Sequence, residues 1–172
     1  MLQIAQFRSL LEKCRELSPR HSFRFKNPLY SFDSTIIDVC LSLYPWATYR
    51  TKKGAFKIHT LLDHDGYLPS FIVVTEAKTH DINVVKDDSY GFPSLSPDSI
   101  LLIDRAYIDY NWLYSLTRSK LFFVMKAKSN MKYTVLGQQE FTKNKGVVSD
   151  CLIMLSGAVS YTHLTLPTKR IV

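Results

Sequence analysis

Several absences limit what this chain can be. No run approaches the roughly 18 uncharged apolar residues that a membrane span needs. The N-terminus interleaves Gln3, Gln6, Arg8, Glu12 and Lys13 where a signal peptide would carry an apolar block. Membrane and secreted classes are therefore set aside, and the chain reads as intracellular. Its three cysteines, Cys14, Cys40 and Cys151, are odd in number, scattered and without a Cys-x-x-Cys pair, so neither a disulfide framework nor a zinc knuckle is indicated. His59, His64 and His80 share no ligand spacing and read as structural residues.

What is present is the balance of one soluble globular domain, or of one domain with an incomplete second. The 172 residues are 46% hydrophobic and 22% charged, enough to bury a core. The net charge of +7 and a pI near 9.3 suggest a polyanionic partner, because Lys and Arg gain affinity by releasing counterions from a phosphate backbone. Charge alone discriminates poorly, since many basic domains bind no nucleic acid.

Leu2, Ile4, Phe7, Leu10, Leu11, Cys14 and Leu17 recur at helical steps and predict an amphipathic helix ending before Pro19. Residues 20–26 are basic and irregular, and Asn27-Pro28 forbids a helix before the first strand. That strand is expected over 29–36, with Asp33 near its middle. After a loop through Tyr44-Pro45-Trp46, Phe56, Ile58 and Thr60 alternate with Lys57 and His59, predicting a half-exposed strand over 56–62. Asp65-Gly66 supplies a positive-φ turn, and 69–75 returns as its antiparallel partner. Residues 82–88 suit a helical turn. An apolar strand over 99–103, of the type buried on both faces, ends at Asp104, the end where open α/β sheets bind ligands. Ala106, Tyr110, Leu113 and Leu116 or Thr117 then share a helical face, and 121–127 reads as a last strand. Trp46 and Trp112 read as packing residues, Asp63 and Asp65 as turn formers, and Asp109 as part of a helix surface.

Asp33 and Asp104 both interrupt apolar, strand-like runs. If buried, each carboxylate would cost several kcal/mol to desolvate, and within about 4 Å of each other they would repel by roughly 4 kcal/mol at an effective dielectric of about 20. A divalent cation between them would reverse both penalties. The alternative is that each caps a strand or turn.

The order strand, hairpin, short helix, strand, helix, strand, together with the two aspartates, resembles the catalytic core of DDE transposases of the IS4-type insertion-sequence group. The likeness rests on Tyr30-Ser-Phe-Asp-Ser-Thr-Ile-Ile-Asp38, Lys53-Gly-Ala-Phe-Lys-Ile-His-Thr-Leu-Leu-Asp63, Leu68-Pro with Thr79-His-Asp81, and Leu102-Ile-Asp-Arg-Ala-Tyr-Ile-Asp-Tyr110. It implies an α/β, ribonuclease-H-like mixed sheet with antiparallel hairpins, parallel strands and packed helices. The first strand would be central, bringing Asp33 beside Asp104. It also implies two-metal phosphoryl transfer with Mg²⁺ or Mn²⁺, Asp33 bridging the ions and Asp104 binding one. Expected partners are double-stranded DNA, as transposon ends and target, and a second copy in the full-length complex, in the bacterial cytoplasm at the nucleoid.

The likeness implies a third acid as well, a Glu on a later helix in a Tyr-x2-Arg-x3-Glu-x6-Lys pattern, and the chain holds no such pattern. Glu140 falls in a turn-like polar stretch and Glu76 has no motif behind it. The resulting expectation is an incomplete, inactive fragment. Residues 1–28 would be a helix and linker left from a DNA-binding region, 29–130 a partial catalytic core, 131–158 the start of a β-rich insertion, and 159–172 a non-native tail. A non-enzymatic DNA-binding module and a different ribonuclease-H-like nuclease stay open as alternatives.

Arg50, Lys52, Lys53 and Lys57, with Tyr49 and Phe56 interleaved, form a candidate phosphate-tracking edge, or else a solvated hairpin flank. Arg105 would contact the scissile phosphate or brace the Asp104 loop. Lys126 and Lys128 alternate on what is expected to be an edge strand, where Lys discourages unwanted pairing.

Overall fold

The computed structural model describes residues 2–40, 48–50, 53–140, 149–155 and 165–166. Two compact units divide the chain, residues 1–126 and 127–172.

The first unit opens with helix α1, Leu2–Leu17. Leu10 and Leu17 of its apolar stripe are 62% and 87% exposed, so that stripe is only partly used within the chain. Strands β1 (Leu29–Val39), β2 (Thr48–Arg50), β3 (Lys53–Asp63), β4 (Leu68–Glu76), β5 (Ile100–Ile103) and β6 (Phe122–Met125) form one mixed sheet. β1 is central. It pairs antiparallel with β3 from Tyr30↔Asp63 to Val39↔Gly54, and parallel with β5 from Leu29↔Ile100 to Phe32↔Ile103. β5 continues parallel to β6, while β4 and the short β2 line the other edge of β3.

The β3–β4 turn forms as its residues dictate. The Asp63 carboxylate accepts the backbone N–H of Asp65 at 3.0 Å, and Gly66 takes φ +79°. A Cβ on Gly66 would also collide with Ser18, just beyond α1, so glycine is required twice over. Helix α2, Asp81–Lys86, follows β4, and a single 3-10 turn, Arg105–Tyr107, follows β5. Helix α3, Tyr110–Arg118, starts at Asp109, whose carboxylate caps the Trp112 N–H at 2.9 Å and pairs with Lys86 at 2.8 Å. Asp109 is thus a helix cap rather than a surface residue.

One face of the sheet carries the core. Phe32, Leu61, Leu101 and Ile103 pack there with Val84 of α2, Tyr107, and Trp112, Leu113 and Leu116 of α3. Phe32 sits at the middle, its ring 4.9 Å from those of both Phe92 and Tyr107. On the opposite face Ile72, Val74, Phe122 and Val124 are about half exposed. The strand over 99–103 was expected to be buried on both faces. Only alternate residues, Ser99, Leu101 and Ile103, are buried, because the covering helices lie on one side.

Two further expectations change. The face of β3 is inverted, since Lys57, His59, Leu61 and Asp63 are the buried set whereas Ile58 and Thr60 are half-buried. β6 is an edge strand but stops at Met125, so Lys126 and Lys128 lie beyond it and protect no edge. The expected loop containing Tyr44, Pro45 and Trp46 lies outside the described residues.

The second unit contains an antiparallel three-stranded sheet, β7 (Tyr133–Gln138), β8 (Cys151–Leu155) and β9 (Thr165–Leu166), in that order. β9 lies within the residues expected as a tail and pairs with β8.

Candidate active site

Asp33 and Asp104 owe their positions to the parallel pairing of β1 and β5. The ladder ends at Phe32↔Ile103; Asp33 is the next residue on β1 and Asp104 the first residue after β5. Asp104 keeps an extended backbone, φ −79° and ψ 164°, and neighbouring strands lie about 4.8 Å apart. Side chains alternate along extended chains. Phe32 and Ile103 both belong to the core, and the two aspartates follow them where the ladder ends.

Neither aspartate is buried; both are exposed. The expected desolvation cost is therefore absent, and the reason is that β1 outruns β5 at this point and leaves an open step in the sheet. Each carboxylate is oriented locally. Oδ1 of Asp33 accepts the Ser34 N–H at 2.7 Å, and Oδ1 of Asp104 accepts the Arg105 N–H at 2.6 Å, opening the 3-10 turn. Among the described residues neither makes an ion pair, so each keeps an oxygen for an outside ligand. Two free carboxylates at a sheet opening suit a hard divalent cation. A set of three or more side-chain ligands is not assembled among the described residues. Glu76 is paired with Lys78 at 2.6 Å, and Glu140 is exposed in the second unit.

Behind the pair lies a polar cluster that the sequence did not announce. Asp81 Oδ1 accepts the Ser34 hydroxyl at 2.7 Å and the Lys57 ammonium at 3.0 Å. Lys57 also donates to the Thr79 carbonyl at 2.8 Å. His59 is fully buried, with Nε2 3.0 Å from the Thr75 hydroxyl. Its Nδ1 is 3.7 Å from Asp81, beyond hydrogen-bond reach. Burial holds the His59 pKa below its ordinary value, with Lys57 acting in the same direction against the pull of Asp81 and Asp33. Tyr107 closes the cluster. Burial first, then Asp81, Asp33 and Asp104, raise its hydroxyl far above the ordinary tyrosine range, opposed only by Ser34. The Ser34 hydrogen goes to Asp81, and the buried Tyr107 oxygen is left without a hydrogen-bond partner of normal geometry. One tyrosine thus feels all three aspartates.

Of the expected DNA-binding residues, Lys57 is excluded. It is 7% exposed and spent on Asp81 and Thr79, so no phosphate can reach it without breaking a buried ion pair. Arg50 and Lys53 lie on β2 and at the start of β3, and Lys52 is outside the described residues. Arg105 is exposed beside Asp104 and makes no ion pair among the described residues. The signal that could have revealed the cluster is the two-residue step Lys57-x-His59-x-Leu61. It places a cation, an imidazole and a buried leucine on one strand face, and such a face needs an internal acid.

Comparison with known proteins points the same way as this geometry. A family model described as a transposase DDE domain matches residues 24–156. A probable transposase for insertion sequence element IS5377 of Geobacillus stearothermophilus is 29% identical over 123 residues, covering 72% of this chain and 31% of that protein. A putative transposase, y4zB, of Sinorhizobium fredii is 25% identical over 143 residues, covering 81% of this chain and 38% of its own length. The chain therefore spans about a third of the length of these curated relatives.

Proposed function

Because the chain belongs to the transposase DDE domain family, we propose that it carries part of the machinery for cutting and joining DNA at insertion-sequence ends, in the manner of the IS4-type group. The observation that carries this reading is the pair of exposed carboxylates, neither in an ion pair among the described residues, at the end of the Phe32↔Ile103 ladder. Asp33 and Asp104 would hold a divalent cation, Mg²⁺ or Mn²⁺, which when bound would neutralise charge at a phosphodiester and activate its attacking oxygen. The chain's own residues orient those carboxylates through the Ser34 and Arg105 N–H groups, and the exposed Arg105 would meet an incoming phosphate. Double-stranded DNA is the partner, as element ends and target. A second copy would join in the full-length complex, and the setting is the bacterial cytoplasm at the nucleoid.

The same reading makes this chain inactive by itself. Asp81, which holds the Ser34 hydroxyl next to Asp33, is already occupied by Lys57 and Ser34. That also weighs against a different ribonuclease-H-like nuclease using Asp81 as its third ligand. Titration calorimetry with Mn²⁺ should show weak binding that Asp33→Asn or Asp104→Asn removes. Binding indifferent to both changes overturns the site, and robust metal-dependent strand cleavage abolished by Asp33→Asn overturns the inactivity.

A further inference from the structure

Between α1 and β1 the chain runs Arg20-His-Ser-Phe-Arg-Phe-Lys26, alternating cations with rings. Phe23 and Phe25 are 49% and 37% exposed, and their rings stack on each other nearly parallel, at 4° with centroids 5.4 Å apart. His21 packs against both, 5.5 Å from Phe23 and 5.0 Å from Phe25. Two large rings held together in water, instead of folded into the core beside them, form a preorganised flat apolar surface.

Beside the rings is a cavity of about 140 Å³ lined by Arg20, His21, Lys26, Pro28 and Asp65, roughly ten times what one water requires. The segment is anchored there from below. The His21 N–H donates to Asp65 at 2.8 Å, and His21 Nε2 bonds the Asn27 carbonyl at 2.9 Å. Its Nδ1 is buried with no hydrogen-bond partner. Arg20, Arg24 and Lys26 are exposed and make no ion pair among the described residues. The two cations of the lining outweigh its one carboxylate, which the His21 N–H already engages.

We propose that residues 20–26 form a contact for a DNA strand, separate from the Asp33–Asp104 pair, in which Arg20 and Lys26 seat a backbone phosphate at the cavity and the Phe23–Phe25 stack receives an unpaired base. Rings supply sequence-tolerant stacking and neighbouring cations track the backbone, the combination by which single strands are held. The contact rests on the reading of DNA as partner but needs neither metal nor the aspartates. It lies before the first residue of β1, at the end of that strand's parallel ladder opposite Asp33.

The test is fluorescence anisotropy of the full chain with a labelled oligothymidine strand of about 12 nucleotides, in chelator, across a salt series. Phe23→Ala with Phe25→Ala should weaken binding about tenfold and leave the salt dependence unchanged. Arg20→Gln with Lys26→Gln should lower the slope of log affinity against log salt by about 0.7, the share of the one phosphate they seat. An abasic strand should bind more weakly than oligothymidine and lose its sensitivity to the phenylalanine change. All substituted residues are in an exposed segment outside the strands, and circular dichroism melts should match the parent. Strand binding that ignores both double substitutions overturns this contact while leaving the DNA reading intact, and no binding at all by the parent chain sinks both.

Discussion

Two acidic centres in the first unit solve the same electrostatic problem in opposite ways. Asp81 has a cation supplied by the chain itself, Lys57, together with the Ser34 hydroxyl. Asp33 and Asp104 have only the N–H groups of their own neighbours and open solvent. The difference separates a carboxylate held inside the fold from carboxylates left open to solvent. The burial that the apolar flanks of Asp33 and Asp104 suggested is absent, since both are exposed.

The sharpest way to break this contrast is to remove the internal cation. Lys57→Met should cost about 3 kcal/mol of stability, the lower end of the range for a broken buried pair because Asp81 retains 17% exposure. A melt shifted by no more than a surface substitution would show that the pair does not support the fold.

A pH series gives the next largest effect. Burial keeps His59 neutral in the folded chain, whereas an unfolded histidine takes up its proton near pH 6.5. The unfolded state then binds more protons, so stability should fall as the pH drops through that value. Between pH 7 and 5.5 the loss from His59 should be at most about 1.3 kcal/mol, read by denaturant melts. His64 is shifted the same way by burial and adds to it. His59→Gln should flatten the curve; an unchanged curve would mean that His59 takes up its proton equally in the folded and unfolded chain.

At the exposed centre, Asp33→Asn should move stability by no more than about 0.5 kcal/mol while removing Mn²⁺ binding. A large loss of stability would make Asp33 a structural residue like Asp81. Tyr107→Phe should change least. Its hydroxyl has no partner to lose, so the substitution should be neutral or slightly stabilising, and a loss above about 1 kcal/mol would reveal a hydrogen bond to Ser34 after all.

Much of the architecture was legible from local pattern. The β3–β4 hairpin follows from Asp65-Gly66, β5 from its apolar run, and α3 from its repeating face, because neighbouring residues alone decide each of them. Which face of β3 turns inward was not legible. Lys57 and His59 look like the wet side of an alternating strand, and only Asp81, 24 residues beyond Lys57, makes them the dry one. The adjacency of Asp33 and Asp104 was likewise invisible to spacing, since it arises from a parallel pairing between distant strands. It entered the sequence reading through family resemblance. The same limit applied to Asp109, whose capping role depends on where α3 begins.

The bare side of the six-stranded sheet has a practical consequence. Ile72, Val74, Phe122 and Val124 present half-exposed apolar side chains on the strands flanking β3 and β5, on the face opposite the core. At the concentrations used for spectroscopy such a surface favours self-association. Dye uptake and light scattering that rise with protein concentration, with the melting profile unaltered, would record a natively folded domain that is sticky on one side.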